Sequence, residues 1–206
     1  MIAIIDYDAG NILSVQKACA ALGQTYLLTG DQEKILGADH VILPGVGAFG
    51  DAMKSLERSG LTEVLREIVR RKIPLLGICL GLQLFFDRSE ESPGVPGLSL
   101  LPGEIRRIPQ VETDGSSLKI PHMGWNNLTF PKESRLFAGI PEGVYVYFVH
   151  SYYLYTEKTE IAAARTHYGA DIVASVEWEN IFACQFHPEK SGKWGLKILE
   201  NFLSLS

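Results

Sequence analysis

The stretch Leu75-Leu76-Gly77-Ile78-Cys79-Leu80-Gly81-Leu82-Gln83 constrains this chain more than any other. Pro74 closes a charged run, and an apolar segment then leads to a cysteine with a glycine two residues before it and another two after. Leu82 to Phe86 read as the first turns of a helix. The pattern is a cysteine version of the nucleophile elbow, where a strand turns sharply into a helix and presents a reactive side chain at the bend. Such a bend brings backbone against backbone, which calls for glycine on either side. A helix N-terminus aimed at the sulfur favours thiolate over thiol. An isolated cysteine at a strand end is more often core. The flanking glycines and the strand-helix setting are what point to catalysis.

Around this element the chain reads as alternating strand and helix. Ile2 to Asp6 is a short, apolar, β-branched strand, and Gly10-Asn11 opens a helix whose Ile12, Val15, Cys19 and Leu22 share one face before Gly23 ends it. Thr25 to Leu28 is a second strand, Asp31 caps a short helix, and His40 to Leu43 is a third strand. Met53 and Leu56, then Leu61, Val64, Leu65, Ile68 and Val69, give helices that return to the elbow strand. This alternation predicts a mostly parallel, flavodoxin-like α/β sheet with helices on both faces. From Pro93 the texture changes to a Pro/Gly-rich loop and short segments with hairpin signals between them: Glu104 to Ile108, a turn at Asp114-Gly115, Tyr145 to His150, Ile161 to His167 and Ile172 to Trp178. An antiparallel section is therefore expected. Ile181 to Phe186, His187-Pro188-Glu189 and a helix through Trp194 and Phe202 complete the chain. With 206 residues, no repeat and no linker, a single domain over 1–206 is expected.

The net charge of −5 argues against a general nucleic-acid binder, and no apolar run is long enough to cross a bilayer. Three widely separated cysteines make neither a disulfide framework nor a metal knuckle, and the chain begins directly on a strand. A reducing, cytoplasmic setting without cofactor or metal is the expectation.

Gly45-Val46-Gly47-Ala48-Phe49-Gly50 matches the G-x-G-x-x-G dinucleotide fingerprint. It follows the third strand rather than the first, and the next strand ends in a cysteine rather than a ribose-binding acid. The alternative use of such a loop is to aim bare N–H groups at developing negative charge as an oxyanion hole. In a parallel sheet it opens on the same edge as Cys79, which favours this second use.

A cysteine nucleophile needs a base, and the base needs an orienter. Of five histidines, His40, His122 and His167 read as structural or solvated, the second of them in a Pro/Gly-rich loop, and His150 ends an apolar strand. His187 stands out because Pro188 drives it into extended geometry. Glu189 then projects to the same side as the imidazole. Cys79, His187 and Glu189 form a candidate acyl-transfer triad, while Cys19 and Cys184 fall on core faces.

Gly77-Ile-Cys79-Leu-Gly81 followed by Gln185-Phe-His187-Pro-Glu189 resembles the class I, triad-type glutamine amidotransferases. Pro44-Gly-Val-Gly47, Pro121-His-Met-Gly-Trp125-Asn126, Tyr147-Phe-Val-His150-Ser151-Tyr152, Asp6 to Asn11 and Pro188 to Ser191 are similar to the glutaminase subunits of imidazole glycerol phosphate synthases within that family. The resemblance implies that Cys79 attacks the side-chain amide of L-glutamine. Leu80 and the Gly45, Val46, Gly47 segment would hold the oxyanion. His187, oriented by Glu189, would move the protons. It also implies substrate contacts at Gln83, Glu91, Ser151 and Tyr152, and a partner-facing surface at Asn11, Trp125, Asn126 and Tyr147. The implied partner is a (β/α)8-barrel cyclase subunit that receives ammonia. Glycines on both sides of Val46 would let a peptide turn over, so that an oxyanion donor is withheld until partner and ligand are bound. Other amidotransferase subunits share the triad. A cysteine peptidase of similar topology would lack His-Pro-Glu near its end, and a degenerate binding domain would lack an intact triad.

Overall fold

Continuous apolar runs belong in strands covered on both faces, and the chain uses several of them in that way. The computed structural model describes residues 1–7 and 12–205. In chain order the elements are β1 (Ile2–Ile5), α1 (Ile12–Ala21), β2 (Tyr26–Thr29), α2 (Gln32–Leu36), β3 (His40–Gly45), α3 (Phe49–Arg58), α4 (Leu61–Arg70), β4 (Leu75–Cys79) and α5 (Leu80–Leu84). There follow β5 (Arg88–Ser89), β6 (Glu104–Arg107), β7 (His122–Asn127), β8 (Tyr145–His150), β9 (Tyr152–Tyr155), β10 (Ala162–His167), β11 (Asp171–Trp178), β12 (Ile181–Cys184) and α6 (Gly192–Leu203).

A central sheet runs β10-β11-β12-β4-β3-β1-β2. From β12 to β2 its neighbours are parallel, and β11 and β10 extend it antiparallel beyond β12. Side-chain alternation splits the core in two. Ala3, Ile5, Val41 and Leu43 pack on one face with Met53, Leu56, Leu65 and Ile68 from α3 and α4. Ile2, Ile4, Ile42 and Leu76 pack on the other with Val15 and Cys19 of α1 and Ile198, Leu199 and Phe202 of α6. The apolar positions of α4 fall at i, i+3, i+4 and i+7 (Leu61, Val64, Leu65, Ile68), the stripe a sheet-covering helix needs. Asp31 caps α2, its carboxylate accepting from the N–H groups of Glu33 and Lys34.

The later segments do not join one sheet. β7 and β8 pair as a separate antiparallel ribbon, and β5, β6 and β9 make a small third sheet. His122, expected in a loop, opens β7, and β9 was not legible in the aromatic run Tyr152 to Tyr155. The helix after Cys79 is also shorter than the apolar run Leu82 to Phe86 suggests, ending at Leu84. Phe85 and Phe86 are fully buried, and their carbonyls accept from Leu100, Leu101 and Ser99 of a returning loop rather than from a further helical turn. Among the described residues no helix is long and apolar enough to cross a membrane.

Candidate active site

Cys79 ends β4 with φ +55° and ψ −107°, a backbone conformation that β-carbon-bearing residues avoid. The flanking glycines permit it by close approach. A β-carbon on Gly81 would lie 2.0 Å from the Leu43 carbonyl oxygen, and one on Gly77 would lie 2.8 Å from the Gly81 backbone. Gly45 at the end of β3 is in register with Cys79, and Cys184 of β12 with Ile78. Three parallel strands thus deliver the elbow, the Gly-rich loop and the His187 segment to one carboxyl edge, where open α/β sheets bind ligands.

His187 Nδ1 lies 2.8 Å from Glu189 Oε1, and the side chains are only 2% and 1% exposed, so water screens the pair little. The contact is made differently from the extended i, i+2 pair that the sequence suggests. His187 is extended (φ −99°, ψ 96°), but Pro188 to Lys190 form a single 3-10 turn that swings the carboxylate under the ring. His187 is fixed from the other side as well. Its N–H donates to the Tyr147 carbonyl at 2.9 Å, and its carbonyl accepts from Ser191 Oγ at 2.6 Å. Burial pulls the imidazole pKa down, but interaction with the Cys79 sulfur and then with Glu189 outweighs it and raises the value to about 9. His187 Nε2 has no hydrogen-bond partner among the described residues, and His187 lines the same cavity as Cys79. The Cys79 thiol instead donates to the Val149 carbonyl, and Gln185 Nε2 donates to the sulfur, each at 3.8 Å.

That cavity has a volume of about 360 Å³, the low end of small-molecule sites. Gln83, Glu91, Ser151 and Tyr152 all line it with Cys79, Leu80, Val46, Gly47 and His187. Gln83 is buried. Its Nε2 donates to the Tyr152 carbonyl at 3.2 Å and to Gln185 Oε1 at 3.1 Å. Glu91 Oε2 accepts from the Phe49 N–H at 2.7 Å, tying the acidic loop to the start of α3. Gly45 is buried, and a β-carbon there would lie 2.7 Å from the Tyr7 hydroxyl, 2.9 Å from Leu80 and 3.0 Å from the Gly81 nitrogen. Val46 and Gly47 are exposed, with Gly47 at φ +103°. His150, Gln185 and Pro121 were not singled out as site residues. His150 and Pro121 line the cavity, and Gln185 touches the sulfur. Only the strand-end position of His150 and the place of Gln185 in the His-Pro-Glu segment offered a signal.

Of the expected partner-facing residues, Asn11 lies outside the described residues. Trp125 is exposed on the outer face of β7, edge-on to Tyr147 of β8 with ring centroids 6.1 Å apart. Asn126 is half-buried on the inner face, where it donates to the His167 carbonyl. Cys19 and Cys184 are buried, and burial pushes the Cys19 thiol up to about 11 and the Cys184 thiol up as well. His40 Nε2 bonds the Leu205 carbonyl, and His167 pairs with Glu112 away from the cavity. Among the described residues no group of three or more His, Cys, Asp or Glu side chains is arranged to hold a metal ion.

A protein-family model described as glutamine amidotransferase class-I matches residues 3–205. The chain is 52% identical over 201 residues to imidazole glycerol phosphate synthase subunit HisH of Moorella thermoacetica, covering 98% of this chain and 93% of that one. It is 48% identical over 205 residues to the subunit of the same name from Geobacillus thermodenitrificans, covering 100% and 96%. Its fold is similar to that of a solved glutamine amidotransferase (TM-score 0.74, 19% identity, 98% and 97% covered). It is also similar to that of PurLQS from Thermotoga maritima (TM-score 0.72, 18% identity, 98% and 96% covered). The elbow at Cys79, the sheet that carries it and these matches over nearly the whole length agree: the chain belongs to the class I glutamine amidotransferases, among the HisH subunits of imidazole glycerol phosphate synthase.

Proposed function

We propose that this chain, acting as one domain over 1–206, is the glutaminase subunit of imidazole glycerol phosphate synthase, with Cys79, His187 and Glu189 as its triad. The Cys79 thiolate adds to the side-chain amide carbon of L-glutamine. The resulting oxyanion is held by the N–H of Leu80 and by the Gly45–Val46–Gly47 backbone. Protonated His187 gives its proton to the amide nitrogen as the carbon–nitrogen bond breaks, and ammonia leaves a glutamyl thioester. His187, now neutral, takes a proton from water. The hydroxide attacks the thioester carbon, glutamate departs and the sulfur is restored as thiolate. Glu189 keeps the imidazole in register and stabilises its cation. Gln83, Ser151 and Tyr152 border the glutamine, and the Glu91 carboxylate offers a counter-charge to its α-ammonium.

Ammonia in neutral water is mostly ammonium, which is not a nucleophile, so the product is useful only if delivered dry. The relatives it matches are each named as a subunit of a synthase, which supports leaving the acceptor to a second protein. That partner is a (β/α)8-barrel cyclase docked over the exposed β7–β8 face at Trp125 and Tyr147. It uses the ammonia to form imidazole glycerol phosphate and aminoimidazole carboxamide ribonucleotide in histidine biosynthesis. A cytoplasmic setting fits the three free cysteines.

The observation that carries this reading is the meeting of Cys79 and the dry His187–Glu189 pair at one cavity. Its test is reconstitution with a barrel cyclase. Glutamine and ammonia should each support synthesis in the complex, and a complex that works with ammonia but never with glutamine would refute it.

A further inference from the structure

His122 and His150 lie outside the triad yet are among the most deliberately bonded side chains in the molecule. His150 Nδ1 is 2.8 Å from the Tyr152 carbonyl, and a carbonyl only accepts, so that nitrogen carries the hydrogen. In the neutral ring Nε2 is then a bare acceptor, and His122 Nδ1, 3.0 Å away, must donate to it. His122 Nε2 is left as an acceptor, met by Asn126 Nδ2 at 3.4 Å. Every bond runs one way. Both rings are buried, and burial lowers their pKa values to about 4 for His122 and about 3 for His150, so both are neutral in ordinary buffers. The His122 ring is clamped between Phe148 and Tyr168, with centroids 4.7 and 4.0 Å away.

The sequence of bonds does not stop at Tyr152. The same carbonyl accepts from Gln83 Nε2, whose second hydrogen goes to Gln185 Oε1, and Gln185 Nε2 donates to the Cys79 sulfur. We propose that His122 and His150 are positioning residues that transmit the placement of strand β7, whose outer face carries Trp125, into the substrate wall at Ser151–Tyr152 and onward to the nucleophile. Neither ring touches the reacting atoms. Their work is to hold the Tyr152 carbonyl where Gln83 and the substrate need it. Without the donor at position 122, His150 is free to take the other tautomer and set a lone pair against that carbonyl. The inference rests on the glutaminase reading for its kinetic consequence, but not for the bonding itself.

Two substitutions at position 122 separate this role from packing. His122→Phe keeps a ring between Phe148 and Tyr168 and loses the donor. His122→Asn loses the ring but places an N–H near the Nδ1 position. In the complex with the cyclase, His122→Phe should raise the glutamine KM by about tenfold with a much smaller change in kcat, the loss expected for one buried hydrogen bond. His122→Asn should stay within about threefold of wild type. Equal effects, or the reverse order, would overturn the proposal. Nitrogen-15 long-range spectra of the wild-type chain between pH 5.5 and 8 provide a second measurement that needs no variant and no substrate. Both rings should be neutral Nδ1–H tautomers throughout, and an Nε2–H tautomer or a cation at either ring would overturn the proposal. If the wild-type complex does not hydrolyse glutamine, the functional reading falls, and the tautomers still decide the relay.

Discussion

The backbone N–H of His187 donates to the carbonyl of Tyr147 at 2.9 Å, so the proposed base is pinned to the strand whose outer face packs against Trp125. Ser191 closes the same loop, its hydroxyl accepting from the Tyr147 N–H and donating to the His187 carbonyl. Ser191→Ala leaves the part-buried Tyr147 N–H without its acceptor and the His187 carbonyl with the Lys190 N–H as its remaining donor. It should lower stability by about 1–3 kcal/mol and kcat for glutamine by more than its effect on KM. Denaturant unfolding and steady-state kinetics on one preparation check both parts.

Cys79→Ala should abolish glutamine-dependent synthesis by the cyclase complex and leave ammonia-dependent synthesis intact, because only the first route forms the thioester. Parallel assays with the two nitrogen sources decide it. Residual glutamine-dependent product would remove Cys79 from its role.

His187 holds its proton to about pH 9. The acid form drives ammonia out, so kcat/KM for glutamine should fall as pH climbs through about 9. A raised imidazole pKa also means that the folded state binds the proton more tightly than the unfolded chain. The stability it contributes is complete below the ordinary value of 6.5 and is lost as pH rises through about 9. Glu189→Gln should move the alkaline limb to lower pH and cut kcat by about 100-fold or more, as measured by a pH–rate profile.

Gly81→Ala forces a β-carbon to 2.0 Å from the Leu43 carbonyl, where backbone on both sides prevents retreat. It should cost about 3 kcal/mol or more. Gly139→Ala has no atom within 4 Å of the new carbon and bears only its φ of +72°. That change should cost about 1–2 kcal/mol. Unfolding midpoints of the two variants compare close approach with backbone strain alone.

Trp125 is 55% exposed, a large aromatic on an outer strand face. Trp125→Ala should weaken cyclase binding by about 30-fold, the weight of an interface hot spot, without changing the unfolding midpoint of the isolated chain. Titration calorimetry checks the first part and thermal unfolding the second. Glutaminase turnover by the isolated chain should be low and should rise when cyclase and its ligand are added. High activity alone would exclude a withheld oxyanion donor at Val46.

The parallel core and the elbow were readable because their causes are local. An apolar run, a glycine pair and an i, i+3, i+4, i+7 stripe each state a backbone requirement within a few residues, and Cys79 and His187 sit in such patterns. What pairs with what in the second half was not local. β7 carries a Pro-His-Met-Gly approach that reads as loop, and it becomes a strand only because β8, arriving much later, offers its free edge. The same holds for side-chain partners. Neither the structural or solvated reading of His122 nor the substrate contact expected of Gln83 names a partner for the side chain, yet both are buried because distant strands fold over them and supply the acceptors that make burial tolerable. The chain itself states which atoms can react, and folding alone states which of them meet, since a hydrogen bond between residues far apart in sequence has no trace in either neighbourhood.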